Sequence, residues 1–182
     1  MGNICEEEGK IMGNEQAVNI NICLISESDI NSYYRCLDLV ARERRYLSFV
    51  EAPQLKDVIE FVLSNIANKF PQFVALDNNE VIGWCDVIPE TGMGFTHCGH
   101  LGMGVQKEYR RKGIGRRLLE ATINKSKEKG LERIELDVYA SNNPAINLYR
   151  EMGFEIEGIK KNGRKLDGKY DDVLSMALIN IS

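Results

Sequence analysis

Two glycines in a basic segment have the spacing of an anion-binding turn. Gly113 and Gly115 lie within residues 110–116, Arg-Arg-Lys-Gly-Ile-Gly-Arg, between a predicted strand and a predicted amphipathic helix. The first N–H groups of a helix have no partner within the helix, the helix dipole adds about half a positive charge there, and glycine lets the backbone approach a ligand closely. The segment therefore predicts a phosphate or pyrophosphate site. The alternative is a helix start with a solvated basic face, because the segment is neither a P-loop nor a three-glycine dinucleotide fingerprint.

A second group of residues follows the strand predicted over residues 131–139. Pro144 favours the first position of a helix, so we expect Asn143 to be the N-cap and Asn142 to keep a free side-chain amide. One stripe of this short helix is expected to face the sheet, and it contains Ala145, Leu148, Tyr149 and Met152. The stripe by itself favours a packing role for Tyr149.

Histidine and cysteine residues also cluster near residue 98, but their spacing argues against a metal site. Cys98 and His100 share one face of a strand, whereas His97 points to the other face. Tetrahedral zinc needs ligands that converge on one point. We therefore expect no metal.

The elements that position these residues follow from hydrophobic periodicity and turn residues. The order β-α-α-β-β-β-α-β-α-β-β predicts an α/β fold with a mixed sheet, helices on its faces and a hairpin at the end. Strands are expected at 18–25, 73–76, 81–88, 96–106, 131–139, 154–159 and 170–179, and helices at 30–45, 55–66, 113–128 and 144–152. Residues 1–17 are polar and aperiodic, so we expect a disordered lead-in before one domain over 18–182.

Composition excludes several classes of protein. The chain has 182 residues and a net charge of -4, which argues against a nucleic-acid binder. It has five cysteines and no Cys-x-x-Cys pair, which favours reduced thiols and a cytoplasmic location. No apolar run reaches the ~18 residues that a membrane span needs. We therefore expect no contact with nucleic acid or membrane.

Together, the glycine turn and the second group resemble the GNAT N-acetyltransferase superfamily. Its pyrophosphate motif, Arg/Gln-x-x-Gly-x-Gly/Ala, matches Arg110, Gly113 and Gly115. Its later signature, Asn-x-x-Ala-x-x-Leu-Tyr-x-x-x-Gly-Phe, matches Asn142, Ala145, Leu148, Tyr149, Gly153 and Phe154. The resemblance is specific over residues 99–154 and extends more loosely, through element order, from residue 18 to the end.

The resemblance implies a fold, an activity and a co-substrate. The fold is a GNAT-like mixed, mostly antiparallel central sheet flanked by helices. The activity is transfer of an acetyl group from acetyl-CoA to a primary amine, by direct attack without an acyl-enzyme. The acceptor is expected to be a small molecule or an amino acid, and a homodimer is expected only because similar proteins often dimerise.

The resemblance also implies roles for single residues. Backbone groups of Met103 and Val105 are expected to pair with the pantetheine arm as an added strand would, and Asn142 is expected to touch that arm. Tyr149 is expected to protonate the departing thiolate. The residues expected around the pyrophosphate are Arg110, Arg111, Lys112, Gly113, Ile114, Gly115 and Arg116.

The proton acceptor is where the chain departs from the family pattern. Some members carry a catalytic carboxylate on the strand that corresponds to residues 99–102, which here read Gly-His-Leu-Gly. His100 is the nearest titratable residue, and its ordinary pKa of ~6.5 suits the role, although an ordinary strand histidine is the alternative. Glu43 and Tyr46, in a region that lines the acceptor site of similar enzymes, are candidate substrate contacts or part of a solvated helix end. Our hypothesis is that ordered water carries the proton away and that no single side chain is indispensable.

The same residues are compatible with other functions. A CoA-binding regulatory module without turnover would keep the same turn, and an interaction domain would use it for a different anion. Peptide N-termini are alternative acceptors. The turn at residues 167–172, before the last strand, is a further candidate border of the acceptor site.

Overall fold

The computed structural model describes residues 20–179, and the predicted lead-in at 1–17 lies outside the described residues. The seven strands are β1 (Asn21–Leu24), β2 (Gln72–Asp77), β3 (Glu80–Pro89), β4 (Cys98–Val105), β5 (Arg133–Tyr139), β6 (Glu155–Leu166) and β7 (Lys169–Ile179). The four α-helices are α1 (Ile30–Arg42), α2 (Leu55–Asn68), α3 (Ile114–Glu128) and α4 (Asn143–Glu151). The predicted element order is confirmed.

The strands form one sheet in the order β1-β2-β3-β4-β5-β7-β6. β4 and β5 are parallel, whereas every other neighbouring pair is antiparallel. The predicted mixed, mostly antiparallel α/β fold is therefore confirmed. In the part of the chain that the structure describes, no helix is long and apolar enough to cross a membrane.

Two elements, α1 and β6, end three or more residues away from their predicted ends, and the other elements end within two residues of theirs. The first helix stops at Arg42, three residues early, because Arg44 adopts a left-handed conformation (φ 58°) that cannot continue the helix. β6 extends to Leu166, well beyond residue 159. Its polar second half is held by pairing with β7 across a tight turn at Asp167 and Gly168, both with positive φ.

The sheet separates two apolar layers. α3 and α4 pack on one face, where Leu118 and Tyr149 join a cluster with Leu101 and Leu136 of the sheet. α1 and α2 pack on the other face against a second cluster that includes Trp84. Each layer buries the apolar stripe of its helices, which is the main source of stability in such folds.

β4 and β5 stay together for only three residue pairs, which join Cys98–His100 to Arg133–Glu135. Beyond them the strands separate, and residues 101–105 and 137–139 line one shared cavity. Backbone groups on the facing edges of the two strands are left without a ladder partner there, and such groups bind a ligand readily.

Two glycines of β4 make room for large side chains of β3. A methyl group on Gly104 would lie 2.3 Å from the Trp84 ring, and one on Gly102 would lie 3.2 Å from Oδ1 of Asp86. Trp84 pairs with Gly104 and Asp86 pairs with Gly102, so each β3 side chain leans over its glycine partner. Glycine is required at 104 because of this close approach.

We expect Gly104→Ala to destabilise the fold by roughly 1–3 kcal/mol, the usual cost of overpacking, because the Trp84 ring must move. The control is Gly158→Ala on β6, where a methyl group would meet no atom within 4 Å. Urea unfolding of both variants measures the difference. Equal stability of the two variants would contradict the packing of Trp84 over β4.

Candidate active site

The cavity between β4 and β5 has a volume of about 1370 Å³ and opens on both faces of the sheet. The α3 and α4 side contributes Gly113, Gly115 and Tyr149 to its lining, whereas the α1 and α2 side contributes Trp84 and Phe61. One continuous space therefore connects the predicted anion-binding turn with an aromatic compartment.

The turn before α3 has a backbone shape that suits an anion. Arg111 (φ 64°) and Gly113 (φ 77°) both adopt left-handed conformations, and Gly113 is the N-cap of α3. A methyl group on Gly113 would meet no protein atom within 4 Å, so the space beside it is open. The first N–H groups of a helix have no partner within the helix, and the helix dipole favours negative charge at this end of α3.

Most of the basic side chains near the turn have other partners. Arg110 pairs with Glu43, Arg116 pairs with Glu151, and Arg117 donates to the Ile20 carbonyl. The Lys112 ammonium lies 5.3 Å from the centre of the Tyr109 ring. Arg111 lines the cavity and makes no ion pair within residues 20–179. The predicted anion site would therefore rely mainly on backbone N–H groups, with Arg111 as its available cation.

Arg110 links the turn to the segment after α1. Its guanidinium donates to both carboxylate oxygens of Glu43, its Nε donates to the Val105 carbonyl (2.8 Å), and it lies 4.7 Å above the Tyr46 ring. A substrate ammonium at Glu43 would therefore have to share this carboxylate with Arg110. Tyr46 lines the cavity, with its ring under Arg110.

The short helix α4 begins one residue earlier than predicted. The backbone N–H groups of Ala145 and Ile146 both donate to the Asn142 carbonyl, which makes Asn142 the N-cap, so the assignment of Asn143 was wrong. Pro144 occupies the second helical position. The Asn142 side chain makes no capping hydrogen bond and lines the cavity, so its amide is available to a ligand.

Tyr149 is at once a core residue and a lining residue. It is 6% exposed and lies 5.7 Å from Phe154, ring centre to ring centre. Burial, and secondarily the nearby Cys85, raise the pKa of Tyr149 well above its usual range. The phenol therefore keeps its proton across the neutral range, as a general acid must.

The residues predicted on β4 lie along the cavity. Met103 and Val105 line it, but the Val105 carbonyl is taken by Arg110, which leaves its N–H as the group for a ligand. His100 is exposed at the cavity on the α1 and α2 side. His97 contacts the Cys98 sulfur at 3.3 Å, and no group of three or more potential metal ligands occurs within residues 20–179.

Sequence reasoning missed Asp86, the buried carboxylate of the site. Asp86 lines the cavity and is 6% exposed. Burial raises its pKa to about 7. The signal was present in the sequence, because Asp86 is the single charge inside the apolar run 81–88, and such a residue on a buried strand needs an explanation.

Comparisons with known proteins agree with this geometry. The model of the acetyltransferase (GNAT) family matches residues 34–154. The L-amino acid N-acetyltransferase AaaT of Escherichia coli is 25% identical over 86% of this chain and 97% of its own length. An N-alpha-acetyltransferase of Sulfurisphaera tokodaii is 38% identical, over 46% of this chain and 55% of its own length.

Solved structures share the fold at lower identity. A GNAT superfamily phosphinothricin acetyltransferase from Sinorhizobium meliloti, solved in complex with acetyl-CoA, superposes with a TM-score of 0.82 at 20% identity and covers 88% of each chain. The family model spans both the glycine turn before α3 and the Asn142–Phe154 signature. The chain therefore belongs to the acetyltransferase (GNAT) family and is an acetyltransferase.

Proposed function

We propose that this enzyme transfers an acetyl group from acetyl-CoA directly to the primary amine of a small molecule, with an amino acid as the favoured acceptor. The observation that carries the proposal is the single cavity that passes between β4 and β5. It brings an anion-binding turn and a protonated tyrosine on one face of the sheet to an aromatic compartment on the other. Both reactants can therefore meet in the gap without a covalent enzyme intermediate.

The residues present fit acetyl-CoA. The N–H groups of residues 111–116 and the Arg111 side chain would hold the pyrophosphate, and the free Asn142 amide would contact the pantetheine arm. The unpaired edge of β4 at Met103 and Val105 would bind the arm as a neighbouring strand does. Acetyl-CoA supplies the activated acyl group, a thioester that an amine can attack.

The protein's own groups would then lower the barrier in three ways. The two walls of the cavity orient the amine towards the acyl carbon, and such positioning accounts for much of the rate in enzymes of this kind. Backbone N–H groups of β4 near Met103 stabilise the negative charge that develops on the acyl oxygen. Tyr149 donates its proton to the sulfur as the carbon–sulfur bond breaks.

The lining of the acceptor side supports a small acceptor with an apolar side chain. Tyr33, Trp84, Phe49 and Phe61 form an aromatic wall there. The cations Arg164 and Lys165 of β6 also line the cavity and suit an acceptor carboxylate. AaaT acts on L-amino acids, which agrees with this combination.

Contacts between the α1–α2 segment and the β6–β7 hairpin favour small acceptors over peptides. Arg44 pairs with Asp167 at 2.7 Å, and Arg164 donates to the Arg44 carbonyl at 2.6 Å. These contacts bridge the two segments at the acceptor side. A peptide N-terminus would need a wider passage between them.

A panel of amines tests the proposal. We expect acetyl-CoA-dependent release of free thiol with amino acids that have apolar side chains, and at least tenfold lower kcat/KM with the corresponding amino acid amides, which lack the carboxylate. A higher kcat/KM with peptides than with amino acids would show that the acceptor is a peptide N-terminus and not a small molecule. Tight CoA binding without thiol release for any amine would favour a regulatory module.

We expect Gly113→Asp to weaken CoA binding more than tenfold. The new carboxylate would occupy the open space beside the turn and repel the pyrophosphate. The matched control is Gly130→Asp at the other end of α3, about 22 Å away for a 15-residue helix. Gly130 has a similar φ of 79° and equally open surroundings. Calorimetry in which both folded variants bind CoA equally would remove the turn from the site.

We expect Tyr149→Phe to lower kcat while the affinity for acetyl-CoA stays within a few-fold. General acids contribute typically ~10²–10⁴-fold, and the weakly basic thiolate of CoA places this loss at the low end or below. Steady-state kinetics and calorimetry on the same preparation separate the two effects. A parallel loss of turnover and affinity would assign Tyr149 a structural role.

A further inference from the structure

Asp86 places a carboxylate over β4 although it belongs to β3. It pairs with Gly102 across the two strands, and its Oδ1 lies where a side chain of Gly102 would project, 3.2 Å from the position of an added methyl group. Any other residue at 102 would crowd this oxygen. The combination of Asp86 and Gly102 therefore provides the acid that β4 itself lacks.

The carboxylate of Asp86 contributes no visible stabilising contact. It forms no hydrogen bond or ion pair with any other side chain in residues 20–179, and burial is the cause of its raised pKa. Its strand partner on the opposite side, Gln72, has a buried Nε2 with no hydrogen-bond partner among the same residues. A buried carboxylate without a partner destabilises a fold, so its presence at the cavity wall indicates a role in the chemistry.

We propose that Asp86 is the catalytic base, the group that accepts a proton from the acceptor ammonium before and during attack on the thioester. This inference rests on the proposed function and names the residue that the acceptor site would use. Asp86 replaces ordered water as the first acceptor of the proton, and water then carries the proton from Asp86 to solvent.

The sheet separates the two proton-transfer groups. Asp86, Gly102 and His100 point to the α1 and α2 face, whereas Tyr149 reaches the gap from the α4 side. The acceptor amine would therefore lose its proton on one face and the sulfur would gain a proton on the other. The gap between β4 and β5 joins the two.

The protons balance in this scheme. The carboxylate of Asp86 takes one proton from the ammonium, and the amine nitrogen forms its bond to the acyl carbon. The carbon–sulfur bond then breaks, and Tyr149 protonates the sulfur. The nitrogen loses a second proton, which restores Tyr149 through water, and Asp86 releases the first to solvent. The products are an N-acetyl amide, CoA thiol and one proton in solution.

The charge environment of Asp86 suits this role. Tyr33 of α1, Asp57 of α2, His100 of β4 and both Asp137 and Tyr139 of β5 are the titratable residues of these elements that line the same side of the cavity. Asp137 is paired with Lys160 of β6 at 2.7 Å, and the Tyr139 hydroxyl donates to the Leu47 carbonyl. An alkyl ammonium has a pKa of ~10. Because burial raises the pKa of Asp86 to about 7, proton transfer is uphill by roughly 3 pKa units and not the roughly 6 of an ordinary aspartate. A bound ammonium also favours the ionised carboxylate.

The test is Asp86→Asn, which keeps the size of the side chain and removes its basicity. We expect kcat/KM for the preferred amine to fall by ~10²-fold or more at pH 7.5, within the range for loss of a general base. In the wild type, kcat/KM should fall as the pH drops below about 7, and this acidic limb of the pH profile should be absent from Asp86→Asn. The remaining kcat/KM of the variant should rise with pH towards the pKa of the amine. The control is Glu135→Gln. Glu135 is a carboxylate on β5 that pairs with His100 and lies outside the cavity lining, so the kcat/KM of this variant should stay within threefold of wild type.

His100→Asn tells the two candidate proton acceptors apart, because His100 lines the same side of the cavity as Asp86. We expect it to keep the acidic limb and to lose less than ~10²-fold in kcat/KM. If His100→Asn abolishes the limb and Asp86→Asn keeps it with nearly full activity, His100 is the base and the inference is wrong. An inactive wild type with every amine would instead contradict the proposed function.

Stability provides a readout that a structural role would not share. A carboxyl group whose folded pKa is raised stabilises the fold fully below its unfolded pKa of ~3.9, and this contribution is lost as the pH rises through about 7. Asp86→Asn has no carboxyl group at this position, so its stability does not decrease with pH for this reason. Its melting temperature, relative to wild type, should therefore increase from pH 5 to pH 8. A variant that is inactive and less stable than wild type at pH 8 would mark Asp86 as structural.

Discussion

The separation of β4 and β5 after three residue pairs is the constraint on which the rest of the site depends. Two parallel strands that stayed paired would close the sheet and divide the cavity in two. Because they part, backbone groups of β4 are free for a ligand, and side chains from both faces reach one point. The α3 turn, α4 and the α1–α2 layer each contribute to this gap from their own side.

Glycines make the chemistry of the gap physically accessible. Gly113 gives the turn its left-handed backbone, and Gly102 and Gly104 allow Asp86 and Trp84 to lean across β4. The arrangement has a cost, because it keeps a carboxylate buried without a partner. Arg110, in contrast to Asp86, has partners for its charge. Its charge is fully engaged by Glu43 and by the Val105 carbonyl, so it holds the turn against the α1–α2 segment instead of presenting a free cation.

The sequence predicted the elements well because their signals are local. Hydrophobic periodicity located the strands and helices, and the two spaced motifs located the turn, Asn142 and Tyr149. The boundaries that differed depended on single backbone conformations, such as the left-handed Arg44, or on pairing with a distant strand, as in the second half of β6. Pairing with Glu43 removes Arg110 from the set of free cations, and that ion pair joins residues 67 positions apart. Asp86 was overlooked although it is the single charge in the apolar run 81–88, and its position over Gly102 follows only from the pairing of β3 with β4.

We infer that acyl transfer takes place inside the gap, with the acid and the base on opposite faces of the sheet. A crystal structure with a bisubstrate analogue, in which CoA is joined through an acetyl linker to an amino acid, tests this most directly. We predict that the sulfur lies within about 3.5 Å of the Tyr149 hydroxyl, and that the amide nitrogen lies on the α1 and α2 side within hydrogen-bonding reach of Asp86, directly or through one water. An analogue whose linker avoids the gap, or whose nitrogen and sulfur lie on the same face of the sheet, would contradict it.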